Sequence, residues 1–102
     1  MSGKITEDGK KDTPKFRLGA LVETWGAEEA LREAGESADT YLDRHAFGDW
    51  GDVDEHDAEE NDFSVENDLR ILSVYTLSTG VKIWVLTEAD RSRTTTLLPE
   101  EY

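Results

Sequence analysis

The chain has 102 residues, with 24 acidic against 11 basic side chains and a net charge of -13. That length suits one domain built on one core, and the lack of cysteine excludes disulfides, thiol nucleophiles, zinc ribbons and iron-sulfur ligation. No apolar run approaches the roughly 20 residues of a membrane helix, and residues 1–15 lack the apolar stretch of a secretory signal, so a soluble, cytoplasmic protein is expected.

Residues 1–14 are polar around the isolated aliphatic side chain of Ile5, too little apolar surface to offset the entropy of ordering. A disordered tail is expected there, and a single α+β domain over 15–102. Leu18, Ala20 and Val22 alternate, which predicts a first strand within 18–24. Residues 28–34 are rich in good helix formers and Gly35 comes next as a stop, predicting a short helix. Ser37 is placed to cap a second helix, whose Tyr41, Leu42 and His45 share one face and which ends near Phe47 and Gly48. In the turn Gly48-Asp49-Trp50-Gly51-Asp52-Val53, Trp50 is the apolar anchor and Asp52 is positioned to cap the next segment. Residues 54–61 are compatible with a third helix, with Val53 and Ala58 as almost its whole apolar face; it must lie mostly in water.

After Asp68 the period becomes two. Ile71, Ser73, Tyr75 and Leu77 fall on one face against Leu72, Val74 and Thr76, and Val81, Ile83 and Val85 alternate with Lys82, Trp84 and Leu86. Ser78-Thr79-Gly80 joins these strands as an antiparallel hairpin, and a β-branched third strand over 93–98 closes at Pro99. The expected architecture is α+β: two or three short N-terminal helices packed on a three- to four-stranded antiparallel β-meander.

The charge is concentrated. Residues 1–22 sum to +2 and residues 69–102 to zero, whereas residues 23–68 carry 17 acids and only Arg32 and Arg44. Within that segment, residues 49–68 hold ten carboxylates and no lysine or arginine, which projects a strongly negative field. Direct nucleic-acid binding through this face is disfavoured, because phosphates are met by lysine and arginine. A basic protein surface, such as that of a nucleic-acid-binding protein, is the partner such a field favours.

Catalytic readings are weaker. His45, Asp49, Asp52 and His56 offer ligand atoms in one region and suggest a metal-dependent enzyme as the alternative, but the two histidines are 11 apart across a turn and no EF-hand spacing fits. Carboxylates in so hydrophilic a stretch stay ionised, unlike a general acid in an apolar pocket. No G-x-S-x-G and no P-loop occurs. No catalytic residue, metal or cofactor is therefore assigned. Trp25, Trp50, Tyr75 and Trp84 are candidates for an aromatic surface, and against it stands ordinary core packing. The turn containing Asp90 and Arg91 reads as a local Asx and ion-pair network. A helix with an acid at half its positions approaches the linear charge density of duplex DNA, about one charge per 1.7 Å, so mimicry of DNA is a further reading.

Gly48-Asp49-Trp50-Gly51-Asp52-Val53, Arg70-Ile71-Leu72-Ser73-Val74-Tyr75, Gly80-Val81-Lys82-Ile83-Trp84-Val85-Leu86-Thr87-Glu88-Ala89-Asp90-Arg91-Ser92 and Thr94-Thr95-Thr96-Leu97-Leu98-Pro99-Glu100-Glu101-Tyr102 resemble a family of small bacterial proteins carried on plasmids and other mobile elements. Some of its members bear the label of a type I restriction subunit, which a chain too short for a methyltransferase domain does not fit. The resemblance spans most of the chain after Lys15 and brings no catalytic residues. It implies a mobile-element accessory protein that works by anti-defence or regulatory binding.

The expected function is thus a non-enzymatic interaction module, monomeric or weakly homodimeric. Its binding residues would be Asp49, Asp52, Asp54, Glu55, Asp57, Glu59 and Glu60, with Trp50 and Trp84 as aromatic contacts.

Overall fold

The computed structural model describes residues 13–102; the expected tail lies, up to residue 12, outside the described residues. In chain order the elements are β1 (Ala20–Glu23), α1 (Trp25–Ala34), α2 (Ala38–Ala46), α3 (Glu55–Asn67), β2 (Ile71–Thr76), β3 (Lys82–Thr87) and β4 (Arg93–Leu97), with a final 3-10 turn at Pro99–Glu101. The α+β class holds, with a correction to the sheet. Its order is β1-β4-β3-β2; β2, β3 and β4 form the antiparallel meander, but β1 pairs parallel to β4, setting Ala20 opposite Arg93 and Glu23 opposite Thr96. The first strand precedes the helices as expected, but the helices reach Asn67 and so are not confined to the N-terminal end, and the sheet is mixed rather than purely antiparallel. Parallel pairing needs a long crossover, and the three helices between β1 and the meander supply it.

Caps decide where the helices begin. Thr24 Oγ1 accepts from the Ala27 N–H at 3.2 Å, so α1 starts a turn before the alanine- and glutamate-rich run. Gly35, at φ 70, ends α1, its N–H on Arg32 O and the Glu36 N–H on Leu31 O. Ser37 caps α2 as its sequence predicts. For α3 the cap is Asp54, accepting from the Asp57 N–H at 2.8 Å, while Asp52 instead accepts from the Thr76 hydroxyl. The third helix also runs on to Asn67, with Asp68 in the left-handed conformation as its end.

The core lies between α1, α2 and one sheet face, and comprises Leu31, Tyr41, Leu42, Tyr75, Leu77, Ile83 and Val85. Burying each large apolar side chain stabilises the fold by about 1.5–3 kcal/mol relative to exposure. At its centre a polar chain crosses the sheet. His45 Nδ1 lies 2.6 Å from Ser73 Oγ and Nε2 lies 2.9 Å from Thr87 Oγ1; Thr87 and Thr94 hydroxyls are 2.7 Å apart, and Thr94 donates to Leu18 O. Proton counting fixes the directions. Because the Thr94 proton goes to Leu18 O, Thr87 must donate to Thr94 and His45 Nε2–H to Thr87; with the ring otherwise unprotonated, Ser73 donates to a bare Nδ1. The ring is neutral. Its burial, with the positive charge of Arg91 adding to the effect, pushes the His45 pKa down to about 3.

Candidate functional site

The acidic surface is built by α3 and the turn before it. α3 lies along the β2 edge and is tied to it by a two-way polar contact: the Asn61 amide donates to Leu72 O at 2.8 Å and accepts from the Leu72 N–H at 3.2 Å. Asn61 and Ser64 are its buried side chains. At about 100° per residue, Glu55, Glu59, Asp62 and Glu66 fall within about 60° of one another around the helix axis, in a stripe of i, i+4, i+7 and i+11. All ten carboxylates of residues 49–68 are exposed.

Neutralisation is confined to the margin. Arg44 Nε holds Asp49 at 2.7 Å, which lowers the Asp49 pKa, and Lys82 stands 3.9 Å from Asp52. Among the described residues, the other eight face no lysine or arginine within salt-bridge distance, and Glu60 meets only His56, at 3.3 Å. The arginines of the meander are engaged elsewhere. Arg70 and Arg93 both approach Glu88, at 3.6 and 4.0 Å. Arg91 is buried and donates to the carbonyls of Ser64, Leu69, Glu88 and Ala89, so its charge sits at the C-terminal end of α3, where Glu66 and Asp68 oppose the helix dipole. The same turn contains the expected Asx bond, Ser92 N–H to Asp90 Oδ1.

Two apolar side chains missed in the sequence stand beside this stripe. Phe63 is 60% and Leu69 46% exposed, and with His56, Glu59, Glu60 and Ser64 they line an open hollow. The signal is Phe63 inside an otherwise acidic run, and it is hidden when the helix is expected to stop at Asn61.

The aromatic candidates do not form one surface. Trp50 is a core residue: it is 6% exposed, stacks 6.2 Å from Phe16, and donates its indole N–H to Asp62 at 3.1 Å. It supports α3 from beneath and is not a contact residue, a correction whose cause is the pair of glycines turning it inward. Tyr75 is buried and its pKa is pushed up to about 12 by burial. Trp84 is half-buried on the sheet face opposite the helices, its ring 5.5 Å from that of Tyr102, while Trp25 stands in water.

Nor are the four candidate metal ligands brought together. Both His45 nitrogens are taken by hydroxyls in the core, Asp49 is paired with Arg44, Asp52 with Thr76, and His56 stands on the outer side of α3. His56, Asp57 and Glu60 do place ligand-type atoms within 4.8 Å of one another, all three exposed to water. Among the described residues no helix is long and apolar enough to cross a membrane. No family model, curated protein or solved structure matches the chain.

Proposed function

We propose that the protein is a non-enzymatic interaction module whose α3 surface binds a basic protein surface of the kind that otherwise binds nucleic acid. The observation that carries this reading is the stripe of Glu55, Glu59, Asp62 and Glu66, facing no lysine or arginine among the described residues and flanked by exposed Phe63 and Leu69. Unneutralised like charges along one helix disfavour the isolated molecule and favour a cationic partner, while an apolar pair beside them supplies area to desolvate. A role as a DNA mimic, in an accessory protein of a mobile element, is the specific form this takes.

The test is binding to a panel of basic DNA-binding domains, with duplex DNA as competitor. Affinity is expected to fall by at least about tenfold between about 50 and 500 mM salt, as the screening length shortens. Changing Glu55, Glu59 and Glu66 together to lysine, with Asp62 kept for its bond to Trp50, is expected to abolish binding while the circular dichroism spectrum persists, and DNA is expected to displace the protein. Equal binding by the reversed chain defeats the proposal.

A further inference from the structure

We propose that the outer edge of β1 is a second docking site, which takes an extended protein segment as a fifth strand with an apolar residue and, two positions away, a lysine or arginine facing α2. This goes beyond the α3 reading and is independent of it, since α3 lies at the opposite edge of the sheet.

Backbone geometry is the first support. Ala20 N–H donates to Ser92 O and Thr24 N–H to Thr96 O, so in the parallel ladder Ala20, Val22 and Thr24 turn their backbone groups toward β4. Those of Leu21 and Glu23 point away from the sheet, and no described residue pairs with them. An edge of this kind is a template for another strand. Two hollows adjoin it on the α2 side. One is lined by Phe16, Leu18, Leu21, Ala46 and Phe47, and the other by Leu21, Glu23, Ala38, Asp39 and Leu42. The alternate side chains of an added strand would enter them.

Charge identifies the occupant. Glu23, Asp39 and Asp43 border these hollows, and among the described residues none of them has a lysine or arginine within salt-bridge distance; Arg17 lies at the other end, beside Phe16. Burial, with repulsion from Glu28 and Asp39, raises the Glu23 pKa, as expected where a cation is missing. A second copy of this chain would bring a second set of Glu23, Asp39 and Asp43 to the same edge, so like charge opposes self-pairing. The register then sets the pattern: the apolar residue lies beside Leu21, and the cation beside Glu23 and Asp39.

The experiment uses the full chain and a capped peptide of about seven residues, a short strand, with threonine at every other position and valine, arginine and valine between. Amide exchange at Leu21 and Glu23 is expected to slow by about tenfold on binding, with no shift along α3. Leu21→Pro removes an outward N–H without touching the β4 ladder, so it should weaken the peptide by at least about tenfold and leave thermal stability unchanged. Glu23→Lys should weaken the arginine peptide similarly and favour a counterpart with glutamate in its place. Binding that persists in Leu21→Pro, protection located on α3, or equal binding of both peptides to the parent chain overturns the proposal, as does sedimentation showing a dimer closed through β1. Lysine substitutions in the α3 stripe should leave this binding intact, so the two sites fail separately.

Discussion

The two edges of the sheet receive opposite treatment. At β2 the outward backbone groups of two successive outward positions are matched: Leu72 by the Asn61 amide, and Val74 by Trp50 O at 3.1 Å and Asp52 N–H at 2.6 Å, through the bridge at Gly51. At β1 the corresponding groups of Leu21 and Glu23 meet no described partner, and the strand's residues are all exposed. A protein at risk of edge-to-edge association would be expected to protect both sides. Here Leu72 and Val74 are covered where the acidic helix and its lead-in turn dock, and no described residue covers the far side, so closing β2 belongs to building the α3 surface.

The strongest way to break the contrast is at Gly51. Its φ of 80 is left-handed, and an added Cβ would lie 2.0 Å from Val74 O. Gly51→Ala is therefore expected to cost about 3 kcal/mol or more in urea unfolding, by forcing the turn off the edge it seals. Next comes Asn61→Ala, which strips both partners from Leu72 and should cost about 2 kcal/mol, accompanied by faster exchange of the Leu72 amide. A loss below about 0.5 kcal/mol in either variant would mean that the β2 edge is not sealed by these groups.

The smallest effect sharpens the comparison by linking the edges. The polar chain from Ser73 through His45, Thr87 and Thr94 to Leu18 O spans the sheet from β2 to the lead-in of β1, and burial, with Arg91 nearby, keeps its imidazole neutral. Because His45 holds no proton until about pH 3 in the native state, whereas the unfolded chain gains one near its ordinary 6.5, this contribution is complete above that value and falls with acidification across the interval. The slope is about 1.4 kcal/mol per pH unit below 6.5, so unfolding at pH 7 and 5.5 should differ by about that much, and His45→Gln should remove the difference. Equal stabilities of the parent chain at the two pH values would contradict a neutral His45.

The sequence reveals most clearly whatever repeats locally. The alternation at Ile71, Ser73, Tyr75 and Leu77 marks a buried face, and all four are buried; Ser37 and the Tyr41, Leu42, His45 face likewise place α2 correctly. The partner of β1 is not legible there, since alternation at Leu18, Ala20 and Val22 shows extension but not which strand lies alongside. The length of α3 escapes because it docks through Asn61 and Ser64, which apolar periodicity does not register. Trp50 shows the same limit. An aromatic between glycines reads equally as anchor or as contact, and only the Asp62 carboxylate above its indole nitrogen decides for the interior.

The parallel join of β1 to β4 has a kinetic meaning. The meander can zip up from neighbouring segments, but the Leu18 carbonyl meets the Thr94 hydroxyl across 76 positions of chain. Closing so large a loop is slow and entropically costly, so β1 should dock last and detach first. In that partly opened form the threonine-rich β4 becomes the border of the sheet, and the hazard of unwanted association passes from Leu21 to Thr94 and Thr96.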